Sequence, residues 1–182
     1  MRTTAHFTYY ESVIAQLCSD GHHVDLLSDR AWTKDDPGRA VNAFAEKTPS
    51  VTLGWSTRRT DLFRRPLFAA RELLSYASYL NRPGQDHFYA DRWSRYIPAR
   101  RSFKNSKSLR NILKSSAAVF TLKTFERLAP ADGAIKTWLK ENAYDAVVAS
   151  PTNMRFSEDT EFIKAAKKLG IATIIQVLSW DN

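Results

Sequence analysis

The sequence predicts an α/β protein built on a parallel sheet, and three observations lead there. In the stretch 144–182, two short apolar runs, 146–149 and 171–178, flank one amphipathic segment, the pattern of a parallel βαβ unit. Both runs are nearly continuous in apolar residues, as expected for strands covered by helices on both faces. Helical and β patterns also alternate through the earlier chain, which is the mark of a layered α/β structure.

Residues 1–8 carry no strand pattern. From Tyr9 a helix is expected, because Tyr10, Val13, Ile14, Leu17 and Cys18 recur at steps of three, one, three and one, and Gly21 ends it in the C′ position. A short strand follows over 22–28. Pro37-Gly38 breaks the chain before a helix over 39–46, and 50–55 (Ser-Val-Thr-Leu-Gly-Trp) reads as a strand. A helix over 62–79 stops at the breaker Asn81-Arg82-Pro83-Gly84. Residues 85–105, polar, aromatic and basic without a firm period, are expected as short helices and loop. Leu109, Ile112, Leu113, Ala117, Phe120, Thr124 and Leu128 keep one stripe, which predicts a single helix over 106–128. Pro130 closes it, and another helix occupies 132–141. In the closing unit Phe162, Ile163, Ala166 and Leu169 share a helical face, with Ser157 as N-cap and Gly170 as C′ residue.

Assembled, the order is α-β-α-β, a helical excursion over about 60–142, then β-α-β. This is a Rossmann-like α/β domain over 1–182, a parallel sheet with helices on both faces. A Rossmann-like half opens on a strand that becomes the centre of its sheet. Here that first strand is missing. In the strand order 3-2-1-4-5, its loss leaves strands 2 and 4 to pair directly or leaves the sheet defective at its middle.

Composition fits a globular chain with room for one large or two small domains: 182 residues, 43% hydrophobic and 25% charged. One cysteine rules out an intrachain disulfide partner, and Cys18, on the apolar face of the first helix, reads as a buried structural residue. No run is long enough to span a membrane and no signal-peptide core is visible, so a cytoplasmic setting is expected. The net charge of +8 is uneven: 58–110 holds thirteen Lys/Arg and four Asp/Glu, a balance of +9. Interleaved with Phe63, Phe68, Tyr76, Tyr79, Phe88, Tyr89, Trp93, Tyr96 and Phe103, these charges fit an anionic membrane or nucleic acid. Arg58, Arg59, Arg64, Arg65, Arg100 and Arg101 are the candidate contacts, and solvated helix faces over a local aromatic core are the plainer alternative. The chain has no G-x-G-x-x-G or Walker loop, which argues against a dinucleotide oxidoreductase or an NTPase, and no cofactor is expected. Adjacent His22 and His23 alternate sides in a strand and do not make a metal site.

Three segments together resemble one family. His6-Phe7-Thr8-Tyr9-Tyr10-Glu11-Ser12-Val13-Ile14, with Leu17 and Gly21-His22-His23-Val24, is similar to the H-F…v-i-x-x-L-x-x-x-G-H-x-V entry of GT-B-fold glycosyltransferases. Asp145-Ala-Val-Val-Ala-Ser-Pro151 is similar to the fourth strand of that fold and its loop. Gly170-Ile-Ala-Thr173 with Ser179-Trp180-Asp181-Asn182 resembles the fifth-strand ending of bacterial UDP-glycosyltransferase-like proteins. The resemblance implies the N-terminal, acceptor-side domain of such an enzyme, a fragment whose C-terminal donor domain is absent and which is inactive alone. It implies a nucleotide-sugar donor held by that other domain, and a hydroxyl-bearing or lipid-linked acceptor at the cytoplasmic face of a membrane. His6 takes the position of the histidine that serves many inverting relatives as general base, a role suited to imidazole because its ordinary pKa of about 6.5 lies near neutrality. The other reading of His6 is a polar loop residue. Phe7, Pro151, Thr152, Asn153, Ser179, Trp180, Asp181 and Asn182 are the expected acceptor and cleft residues, although Asp181 and Asn182 also suit a helix cap. Asn153 stands where some relatives carry an acid. A stand-alone basic α/β module binding anionic membrane or nucleic acid is the alternative function.

Overall fold

The apolar stripe of the first helix begins at Phe7, not at Tyr10, and this places the helix start earlier than its periodicity suggests. In the computed structural model, which describes residues 4–29, 36–81, 106–149 and 158–175, α1 spans Thr4–Ser19. His6 therefore lies inside the first helical turn instead of just before the helix. After α1, Gly21 takes the left-handed conformation (φ 89°) and the chain reverses into β1, Val24–Ser28. Then follow α2 (Arg39–Lys47), β2 (Val51–Trp55), α3 (Arg64–Leu80), α4 (Lys107–Lys114), α5 (Ser116–Leu128), α6 (Gly133–Glu141), β3 (Ala146–Ala149), α7 (Asp159–Leu169) and β4 (Ala172–Ile175). The chain is α/β, with seven helices and short parallel sheets among the described residues.

The single parallel sheet expected from the sequence is two sheets of two strands. β1 pairs with β2 in parallel (Val24 opposite Val51, Ser28 opposite Trp55), and β3 pairs with β4 in parallel (Ala146 opposite Ala172). Among the described residues neither pair is joined to the other, so the direct pairing of β1 with β3 is not seen.

Two compact units divide the chain. Residues 1–59 and 131–182 form the first and 60–130 the second, so α6, expected within the helical excursion, belongs with the strands. In the first unit β1 is sandwiched, because successive strand side chains point to opposite faces. Val24 and Leu26 pack on one side with Phe7, Tyr10, Ile14, Val41 and Val51; Leu27 packs on the other with Ile135, Leu139, Phe162, Ala165 and Ala166. Each fully buried side chain of this size stabilises by roughly 1.5–3 kcal/mol. Cys18 packs against the first of these clusters. Gly54 lies opposite Leu27, and a Cβ there would stand 2.9 Å from Leu27 Cδ2, so the strand keeps a residue without a side chain. β3 and β4 are covered on one face only, where Val147 and Ile171 join the second cluster, whereas Val148 and Ile174 are each 54% exposed. Helices on both faces, expected of every strand, thus hold for β1 and not for β3–β4 among the described residues.

The second unit corrects the expectation of one helix over 106–128. Ser115 is extended (φ −76°, ψ 137°) and ends α4, while its hydroxyl accepts from Ala118 N to cap α5. A serine hydroxyl that can take the free amide of a new helix favours this break over continuation. The break changes the phase of the stripe. Leu109 and Leu113 are buried with Tyr76 and Ala77, but Ile112, Phe120 and Leu128, expected beside them, are exposed, and Val119 and Leu122 face inward instead. In the closing unit the residue at the N-cap position is Glu158, and Gly170 is left-handed (φ 75°) as expected of a C′ residue. Ser157 and the strand residues from 176 onward lie outside the described residues.

Candidate functional site

The candidate site is built where a parallel sheet presents its strand ends. β1 finishes at Ser28 and β2 at Trp55, and Ser56 N donates to Ser28 O at 2.9 Å, carrying the pairing one step past the strands. In open α/β sheets ligands lie beyond this carboxyl edge. α1 reverses into β1 through a tight glycine turn, so the two run antiparallel and the amino end of α1, with His6 in its first turn, overlies the same edge.

Charged side chains of the β1 and β2 ends and of α7 meet there. Asp29 Oδ1 accepts from Arg58 Nη2 at 2.7 Å. Arg59 Nη1 donates to Glu161 Oε2 at 2.8 Å, with the two side chains 1% and 2% exposed, and Arg59 N donates to Glu158 Oε2 at 3.4 Å. The two carboxylates in the first turn of α7, Asp159 and Glu161, are favoured there by the positive end of the helix dipole. Two hydroxyl groups at this edge lack a partner among the described residues. Ser28 is 1% exposed and its Oγ makes no hydrogen bond there; the Tyr10 OH on α1, one turn beyond His6, is likewise buried without one, although the residue as a whole is 9% exposed. Burial, and then the Asp159 carboxylate, push the Tyr10 phenol above its ordinary pKa, so it stays a neutral hydrogen-bond donor. A buried hydroxyl without a partner costs about 1–3 kcal/mol, and in native proteins it marks a place that water or a ligand fills. Among these named groups both guanidinium ions are already engaged. A ligand at this edge therefore meets hydroxyls and carboxylates.

A second polar group occupies the amino ends of the strands. Tyr144 OH donates to Asp25 Oδ2, while His23 Nε2 lies 2.8 Å from Thr52 Oγ1 and 3.3 Å from Asp25 Oδ1. Burial, then the bond to Asp25, hold the Tyr144 phenol above its ordinary pKa. Both His23 contacts use one ring nitrogen, whereas a relay from carboxylate to nucleophile needs the two nitrogens separately. The group ties β1, β2 and the turn before β3 together and has no nucleophile geometry.

The other residues singled out in the sequence separate into three groups. Phe7 is 1% exposed and stacks edge-on against Phe44 at 5.2 Å, so it is a core residue at the head of the α1 stripe and not a cleft wall. Arg59, expected on an anionic surface, is buried against Glu161, and Arg58 is neutralised by Asp29; Arg64 and Arg65, in the first turn of α3, are exposed. Pro151, Thr152, Asn153, Ser179, Trp180, Asp181, Asn182, Arg100 and Arg101 lie outside the described residues, as does the His6 side chain. Sequence reasoning missed Tyr10, Ser28, Asp29, Glu158 and Glu161. Glu161 did leave a signal: it falls on the helix face of Ala165 and Phe162, and a charge on a buried face requires an opposite partner.

Among the described residues no group of three His, Cys, Asp or Glu side chains converges as a metal site would, and no helix is long and apolar enough to cross a membrane. No family model matches the chain, and no curated protein or solved structure is similar to it at a significant level.

Proposed function

We propose that this chain is the acceptor-side, Rossmann-like half of a GT-B glycosyltransferase, working with a second α/β domain that holds the nucleotide-sugar donor at the cytoplasmic face of a membrane. The observation that carries the proposal is the pair of unpartnered buried hydroxyls, Ser28 and Tyr10, beside carboxylates at the carboxyl edge of a parallel strand pair. Among the described residues the edge offers hydroxyls and carboxylates, with Arg58 and Arg59 each bonded to a carboxylate, a set that suits a neutral, hydroxyl-rich acceptor better than a phosphate. In this reading the acceptor is held by Ser28, Tyr10 and Asp29. Its reacting hydroxyl oxygen attacks the anomeric carbon of the donor sugar as the bond to the nucleotide diphosphate breaks, and His6 takes the hydroxyl proton. The place of His6 in the first turn of α1, one turn before Tyr10, supports that role, since residues four apart share a helix face.

The test uses the whole enzyme, with the coding frame followed beyond Asn182 and the product assayed for transfer from labelled nucleotide-sugars to a panel of hydroxyl acceptors. His6→Ala is expected to lower transfer by about 100-fold or more, the ordinary contribution of a general base. The proposal fails if neither the same frame nor a partner chain provides a second α/β domain, or if His6→Ala transfers at the wild-type rate.

A further inference from the structure

The positive charge of this protein is confined to one of its two units. Residues 60–130 carry fourteen Lys/Arg against five Asp/Glu, a balance of +9, which leaves thirteen against fourteen, −1, for the rest of the chain. Within that unit the α4–α5 pair has an unusual outer side. Lys107, Lys114, Lys123 and Arg127 are exposed in the pair, as are Ile112 (56%), Phe120 (70%) and Leu128 (76%), although Ile112 lies on the opposite flank of α4 from Lys107 and Lys114. On α5, Phe120, Lys123 and Arg127 follow at steps of three and four and so share a face. No exposed acid interrupts this side. Glu126, the one carboxylate between 106 and 130, is partly buried and pairs with Arg71 of α3 at 2.9 Å.

We infer that the outer side of α4–α5 docks on an anionic phospholipid bilayer. Lysine and arginine on a helix surface interleaved with large apolar side chains is the composition of an interfacial helix: the cations meet lipid head groups while the apolar side chains enter the head-group boundary. Nucleic acid would use the same cations, but it leaves Phe120 and Leu128 in water, whereas a bilayer covers them. Leucine has no stacking role toward bases. The inference rests on the membrane-face part of the proposed function and makes no use of sugar transfer.

The experiment is co-sedimentation of the 182-residue chain with phosphatidylcholine vesicles, with and without phosphatidylglycerol, over a series of salt concentrations. Binding is expected only with phosphatidylglycerol and is expected to weaken as salt screens the charges. Each cation near an anionic surface contributes a factor of about five, so Lys123→Gln with Arg127→Gln is expected to lower the partition coefficient about 30-fold. Lys167→Gln with Lys168→Gln removes the same charge from exposed positions on α7, outside the proposed face, and is expected to change it no more than about twofold. Phe120→Ser is expected to weaken binding with its salt dependence intact. The inference is overturned if the two double variants behave alike, if neutral vesicles bind equally well, or if a single-stranded oligonucleotide strips the chain from vesicles. Transfer by the whole enzyme without vesicle binding overturns the docking alone and leaves the glycosyltransferase reading standing.

Discussion

Glu161→Gln is the perturbation that most directly tests how the candidate site is assembled. The 2.8 Å pair of Arg59 and Glu161 is 1% and 2% exposed, so removing the carboxylate charge leaves a guanidinium buried without its counter-ion. Loss of one partner of a buried pair costs about 3–5 kcal/mol, against 0–1 kcal/mol for an exposed pair. Domain stabilities are about 5–15 kcal/mol in total, so the expected loss is a third or more of the margin at the middle of that range. With a urea slope of about 2 kcal/mol per molar, the unfolding midpoint is expected to fall by about 2 M. Urea unfolding followed by tryptophan fluorescence measures it, since Trp138 lies 5.9 Å from Phe162, the neighbour of Glu161 in the affected core. The double variant Arg59→Met with Glu161→Leu removes both charges and keeps the volume, and it is expected to recover most of the loss, because the desolvation cost of the pair disappears with it. A loss below about 1 kcal/mol for Glu161→Gln would refute the burial argument. So would a double variant that falls as far as the sum of its two single changes.

Two further outcomes follow from the polar groups on either side of this pair. Ser28→Ala is expected to leave stability unchanged or higher by up to about 1 kcal/mol, because the hydroxyl it removes is buried without a partner among the described residues; a loss of more than about 1 kcal/mol in urea unfolding would mean that the hydroxyl is bonded in the folded chain. Tyr144 gives a pH signature. Its folded pKa is raised by burial and by the bond to Asp25, so its contribution is fully present below the ordinary tyrosine pKa and is lost as pH rises from there toward the folded value. Wild-type stability is therefore expected to decline above about pH 10, with a shallower decline in Tyr144→Phe, and equal slopes in the two proteins would count against that assignment.

Local chemistry determined which elements could be read in advance. The strand Ala146–Ala149, the left-handed Gly170 and the helix Gly133–Glu141 depend on short-range signals, namely an apolar run, a residue free to adopt positive φ, and an Asp132 side chain that accepts from Ile135 N. Two of the failures turned on a tertiary partner and one on a local choice between continuing a helix and capping a new one. Ser115 is compatible with helix continuation, and only the cap it gives Ala118 makes the break favourable. Arg59 reads as one more charge in a basic stretch until Glu161, 102 residues later, is brought against it. Phe7 fits a loop motif in the sequence, yet the packing of Phe44 and Val51 pulls it into helix and core. The βαβ pattern put the expected ligand edge at the ends of the closing strands, whose loops lie outside the described residues, whereas Ser28 and Tyr10 became candidates only once their hydroxyls were seen buried without partners among the described residues.

That contrast also resolves what the net charge of +8 means. Taken as a single number it implies that the ligand site should hold an anion. The net charge is not in that unit: the unit carrying the strands has a balance of −1, and among the described residues Arg58 and Arg59 at its carboxyl edge are each bonded to a carboxylate. The balance of +9 lies in a helical unit with its own core of Tyr76, Ala77, Leu109 and Leu113, and on α5 the exposed Lys123 and Arg127 share a face with Phe120. Under the proposed function, two different recognition problems fall to the two units. A strand edge of hydroxyls and carboxylates can select an uncharged polar acceptor by hydrogen bonding at short range, and a basic apolar helix face can bring that edge to an anionic lipid surface by attraction over about a Debye length. If the cations were instead at the strand edge, the head groups that attract the protein would compete with an acceptor for its site. With the two tasks on different units, the proposal expects changes on the α4–α5 side to alter vesicle binding while ligand recognition at Ser28 and Tyr10 stays the same.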